Sequence, residues 1–187
     1  MLKPFFGIVV MSYFLSCVSK EKKEQVVEEE ALEQQVNVQE SKLSNMTLED
    51  LTVYNFEGLE PMLHREDGTL YVINFWATWC APCVKELPYF EQINTELKDE
   101  NVEIILVSLD MPKMWETHLI PFLQKKELKS EVVVLDDTKQ NEWIPKVAAN
   151  WEGAIPATLI YKGGNRKFYE TPFTYESLRE EIDTFLN

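Results

Sequence analysis

The run Tyr71-Val72-Ile73-Asn74-Phe75-Trp76, followed after three residues by Cys80-Ala81-Pro82-Cys83, constrains this chain more than any other feature. A nearly continuous apolar run of that kind reads as a central strand buried on both faces. Behind the cysteines, Val84, Leu87, Phe90, Ile93 and Leu97 recur at helical spacing. The CxxC pair therefore stands where a central strand hands over to a long helix. At a helix N-terminus, unpaired N–H groups and the helix dipole stabilise a thiolate, which suits Cys80 as a nucleophile. Cys83, three residues on, shares its face and can close a small disulfide ring. Cys80 then attacks a substrate disulfide, and Cys83 resolves the mixed disulfide and releases the reduced substrate.

Other uses of a CxxC pair fit less well. Half a zinc site needs two more ligands, and the chain offers only His64, His118 and Cys17. Haem attachment needs a histidine directly after the pair, where Val84 stands. A static structural disulfide remains open in an oxidising compartment. The strand before the pair and the helix after it favour redox turnover.

The surrounding pattern alternates strand with helix. Leu51 to Phe56 reads as a short leading strand, Val102 to Leu109 and Val132 to Leu135 as later ones. Trp115, Leu119 and Phe122 suggest a helix that Pro121 should kink or split. Ala157 to Tyr161 and Lys167 to Tyr169 flank a Gly163-Gly164 turn and read as a hairpin. Thr174 is the expected N-cap of a last helix, with Glu176 in its first turn and Tyr175, Leu178, Ile182 and Phe185 on its buried face. These elements predict an α/β domain, a mixed sheet flanked by helices on both faces.

The segment from Val72 to Pro88 resembles the active-site region of the thioredoxin superfamily. Its Phe-Trp-Ala-Thr-Trp-Cys-x-Pro-Cys wording is most similar to the exported bacterial branch, the TlpA/ResA-like thiol-disulfide oxidoreductases. The likeness covers residues 48–187. It implies a thioredoxin-like fold with an extra N-terminal strand and an insertion near 111–130. The activity it implies is reduction of disulfides in exported proteins, apocytochrome c among them, with electrons from a membrane thiol transporter and no cofactor or metal. Residue by residue, Pro88 matches the proline that bends the active-site helix. Glu86 matches a glutamate implicated in proton handling beside the pair, against the plainer reading of a solvated helix-face residue. Asn74 stands where ordinary thioredoxin has a buried aspartate, and a neutral amide cannot act as a base. Ile155-Pro156 matches the family's cis-proline, which exposes the Ile155 backbone to an extended substrate. Trp79 joins Ile155 and Pro156 as a substrate-binding residue. Trp76, Trp143 and Trp151 are read as packing residues and His118 as a surface one. Three other functions share this scaffold. A disulfide oxidant or isomerase differs from a reductase only in potential. A copper-binding chaperone would use the two thiolates, although such proteins usually have CxxxC and a nearby histidine. A thiol peroxidase needs a threonine three residues before its cysteine, and Ala77 stands there.

Ahead of the domain, Lys3, the mostly apolar Phe5–Leu15 stretch and Ser16 read as an export signal over residues 1–16. Phe14-Leu15-Ser16-Cys17 resembles the lipobox of bacterial lipoproteins, which implies a lipidated Cys17, a membrane anchor and a place in the cell envelope. Residues 17–46 then supply Cys17 and a charged tether, with Lys and Glu in blocks and no Gly, Pro or aromatic residue. As a coil, it reaches about 30 Å. The catalytic domain is expected over 47–187.

Charge narrows the partners. The 187 residues hold 18 Lys and Arg against 32 Asp and Glu, net −14, so the basic footprint that nucleic acid needs is missing. Residues 47–187 carry 13 basic and 25 acidic side chains, a balance that favours basic partners. No apolar run reaches the roughly 18 residues of a standard spanning helix.

Overall fold

The computed structural model describes residues 46–186. The signal read at 1–16, the lipidation read at Cys17 and the tether up to residue 45 lie outside the described residues.

A 3-10 turn at Leu48–Asp50 leads into strand β1 (Val53–Tyr54) and helix α1 (Phe56–Leu59). The leading strand is thus shorter than the 51–56 expected. The Asn55 side chain accepts from Gly58 N at 3.0 Å, and Asp137 accepts from Phe56 N at 3.1 Å. These two caps turn the chain into a helix where apolar alternation alone would have continued the strand.

Strand β2 (Leu70–Trp76) is buried throughout and leads to helix α2 (Ala81–Glu96), which continues through Pro88. Strand β3 (Val102–Ser108) follows. In the inserted region a short turn at Pro112–Met114 and a π-helical stretch at Trp115–Leu119 precede helix α3 (Ile120–Lys126). The irregularity lies one turn earlier than the kink expected at Pro121. Pro121 falls in the first turn of α3, where a missing N–H is best tolerated. Strand β4 (Glu131–Leu135), helix α4 (Gln140–Val147), strands β5 (Ala157–Lys162) and β6 (Asn165–Tyr169), and helix α5 (Tyr175–Leu186) complete the order. Gly163 takes φ +55° in the β5–β6 turn, a conformation that suits glycine. Thr174 Oγ1 accepts from Ser177 N at 3.2 Å and so caps α5.

The six strands form one mixed sheet, ordered β1-β4-β3-β2-β5-β6. β1, β4, β3 and β2 pair in parallel, whereas β5 joins β2 and β6 joins β5 antiparallel. Alternation along β2 divides the core. Leu70, Val72 and Trp76 pack with Leu87, Phe90 and Ile93 of α2, Leu123 of α3 and Leu178 and Ile182 of α5. Tyr71, Ile73 and Phe75 pack on the other face with Phe56 and Leu59 of α1, Trp143 and Val147 of α4, and Trp151. Trp143 and Trp151 are core residues, as expected, and Trp151 lies against Phe75 with ring centroids 4.8 Å apart. No helix of the described residues is long and apolar enough to cross a membrane.

Candidate active site

The C-terminal end of a parallel strand is where ligand crevices open in such sheets. β2 ends there at Trp76, and Ala77 to Trp79 connect it to α2. Cys80 is the N-cap of α2, and its sulfur accepts from Cys83 N at 3.3 Å. Cys80 and Cys83 are joined as a disulfide, their Cα atoms 5.2 Å apart. Cys80 is 5% exposed and Cys83 fully buried, so Cys80 is the member of the pair nearer solvent. In the dithiol state, the same N–H and the start of α2 are placed to stabilise a Cys80 thiolate.

A second segment meets the sulfur from across the fold. The Ile155–Pro156 peptide is cis, and Cys80 Sγ lies 3.6 Å from the Ile155 carbonyl oxygen. Glu170, just after β6, holds that segment: its carboxylate accepts from Glu152 N at 3.0 Å and from Ala154 N at 2.7 Å. Trp79, next to Cys80, is 56% exposed and the most exposed large apolar side chain among the described residues. Trp76 points inward and is fully buried, and its indole N–H has no partner among the described residues.

Glu86 lies one turn beyond Cys83 on α2. It is buried at 1% exposure, unlike a solvated helix-face residue. Asn74 Nδ2 donates to its Oε1 at 2.8 Å and Phe173 N to its Oε2 at 2.7 Å. Burial pushes its carboxyl up to about 7, with those two donors pulling the other way. Asn74 Nδ2 also donates to Thr158 Oγ1 at 3.1 Å, and the buried Asn74 Oδ1 has no partner among the described residues.

The structure therefore brings Cys80, Cys83, Trp79, Ile155 and Pro156 to one end of the sheet and Glu86 beneath them. Cys17 lies outside the described residues. His118 is exposed, and among the described residues no cluster of three His, Cys, Asp or Glu could hold a metal ion. Two residues escaped sequence reasoning. Glu170 is one. The other is Asp110, buried behind β3, which accepts from both the backbone N–H and the hydroxyl of Thr78. A charged residue closing the apolar run Val102–Leu109 at the ligand end of a strand was the available signal for Asp110.

A sequence model of the AhpC/TSA family matches residues 41–164. The chain is 27% identical over 140 residues to the thiol-disulfide oxidoreductase ResA of Geobacillus thermodenitrificans, covering 74% of this chain and 75% of that one. It is 33% identical over 90 residues to the protein of the same name from Bacillus cereus strain ZK / E33L, covering 48% of this chain and 50% of the relative. Among solved structures, a thioredoxin-family thiol:disulfide interchange protein from Chlorobium tepidum TLS superposes with a TM-score of 0.55 at 18% identity. That match covers 68% of this chain and 85% of the other. The thioredoxin domain of a thiol-disulfide oxidoreductase from Bacteroides vulgatus gives 0.51 at 20% identity over 64% and 81%. At such identities the likeness concerns the fold, which is thioredoxin-like.

Proposed function

The chain belongs to the AhpC/TSA family, and from that premise we propose that this thiol-disulfide oxidoreductase of the ResA type is an exported, membrane-tethered reductase of protein disulfides. The observation that carries the proposal is the Cys80–Cys83 pair at the start of α2, with the Cys80 sulfur 3.6 Å from the Ile155 carbonyl.

The Cys80 thiolate attacks one sulfur of a substrate disulfide, and the other substrate sulfur leaves as a thiolate. The Cys83 thiolate then attacks Cys80 Sγ, the enzyme disulfide forms, and the second substrate sulfur departs. Two electrons have passed from the Cys80/Cys83 dithiol to the substrate. An extended substrate backbone lies along Ile155 and Pro156, and Trp79 covers its flanking side chains. Glu86, with its carboxyl pushed up to about 7, takes the Cys83 proton as that thiol becomes a nucleophile.

The setting follows from the N-terminal reading. Residues 1–16 direct export, Cys17 carries the lipid, and 18–46 hold the catalytic domain near the membrane of the cell envelope. Its partners are disulfide-containing exported proteins, apocytochrome c segments among them, and a membrane thiol donor that re-reduces the pair.

Reduction of insulin disulfides by the dithiol form tests the chemistry. The wild-type chain is expected to precipitate insulin B chain, and Cys80→Ser to lose that activity. Undiminished turnover in Cys80→Ser would overturn the proposal.

A further inference from the structure

Asp110 takes no part in the dithiol chemistry, yet its carboxylate grips the loop that carries Cys80. The residue is 1% exposed. Thr78 N donates to its Oδ2 at 3.0 Å, the Thr78 hydroxyl to its Oδ1 at 2.5 Å, and the Ser108 hydroxyl to its Oδ2 at 2.9 Å. The backbone of Asp110 is fixed as well: its N–H donates to Ser108 Oγ at 3.2 Å, and its carbonyl accepts from Trp115 Nε1 at 2.7 Å.

Burying a carboxylate is unfavourable unless hydrogen bonds compensate it, and this one spends two of its three on a single residue. Those two bonds hold both the backbone and the side-chain torsion of Thr78. From there the chain has little freedom before Cys80, because Cys80 N donates to Ala77 O at 3.1 Å and closes the 77–80 turn. The nucleophile is thus fixed from two sides, by α2 behind it and by Asp110 through Thr78 ahead of it.

We propose that Asp110 is a positioning residue for the redox pair: by gripping Thr78 it holds Cys80 against Cys83 and favours the disulfide over the dithiol. The inference rests on the redox reading of Cys80 and Cys83. Ring closure joins Cys83 Sγ to Cys80 Sγ as the bond from Cys80 to the substrate sulfur breaks and that sulfur leaves as a thiolate. A loop held in the closed geometry raises the effective concentration of one sulfur at the other.

The test is equilibration of the full chain with reduced and oxidised glutathione, reading the dithiol fraction by thiol alkylation and mass. Asp110→Asn is expected to shift the equilibrium constant at least threefold toward the dithiol. At 29.6 mV per tenfold, that is a potential about 14 mV less negative. Thr78→Val keeps the carboxylate and removes one of its bonds, and is expected to shift the constant at least twofold in the same direction. The double variant should shift no further than the larger single one. A cooperatively melting Asp110→Asn with the wild-type constant would overturn the proposal. So would a shift in Asp110→Asn with Thr78→Val unchanged, because the charge and not the grip would then be responsible. If Asp110→Asn does not fold, Thr78→Val alone decides. Glutathione replaces a protein substrate here, so failure of the wild type to reduce insulin would leave this measurement readable.

Discussion

The sulfur of Cys80 stands 3.6 Å from the carbonyl oxygen of Ile155, 75 residues further along the chain. That contact joins the start of α2, which follows β2, to the segment before β5, the strand that pairs antiparallel with β2. An extended substrate lying along Ile155 would bring its own cysteine to Cys80, the residue of the pair that has any exposure. Cys83, fully buried behind it, is reached only from Cys80.

That order of access predicts the behaviour of the two cysteine variants. Cys83→Ser should accumulate a covalent complex between Cys80 and a disulfide-bearing protein, because nothing remains to resolve it. Cys80→Ser should form none. Non-reducing electrophoresis and mass spectrometry read the adduct, and equal adduct in the two variants would contradict the assigned order.

Glu86 should leave a signature in stability. Its carboxyl is raised from 4.5 to about 7 by burial, so the folded state binds a proton more tightly than the unfolded chain. Its contribution is then greatest below the unfolded value, falls as pH rises from about 4.5 to about 7, and is level above that. At 1.36 kcal/mol per unit, the fall is at most about 3 kcal/mol. Asp67, Glu96, Asp137 and Glu181 are shifted the opposite way by their hydrogen bonds, so the comparison must be with Glu86→Gln. Denaturant unfolding at pH 5 and pH 8 should show the variant gaining on the wild type at the higher pH. Parallel stabilities would remove the titration from Glu86.

Trp79 is exposed enough that folding should hardly notice its loss. Trp79→Ala is expected to change stability by less than about 0.5 kcal/mol. Tryptophans at interfaces commonly contribute more than about 1 kcal/mol to binding, so the KM for a protein disulfide should rise about fivefold or more. The rate with a small disulfide such as oxidised glutathione should stay the same. Equal losses with both substrates would make Trp79 part of the cysteine environment instead of the substrate surface.

Much of this architecture could be read from local pattern. The β2 run, the helical spacing behind Cys83, the β5–β6 hairpin and the Thr174 cap each declare themselves within 14 residues or fewer. What could not be read depends on partners far away in sequence. Local spacing leaves Glu86 open to a helix-surface or a proton-handling reading, and its burial is settled by donors on Asn74 and on Phe173, 12 and 87 residues distant. Asp110 and Thr78 are 32 residues apart, and no periodicity relates them. The leading strand stops short of 51–56 because Asn55 acts as a cap, and a capping role is weakly marked in an apolar stretch. In the inserted region, Pro121 was a correct sign of irregularity with the wrong position, since the chain absorbs it through the π-helical turn before it.

In the proposed cycle the Cys80/Cys83 couple works as a reductant. Its reduction potential, measured by equilibration with glutathione at pH 7, tests that directly. A reductase of this kind is expected below about −200 mV, on the reducing side of protein disulfide isomerase at about −180 mV. A value near the about −120 mV of a strong disulfide oxidant would contradict the claim.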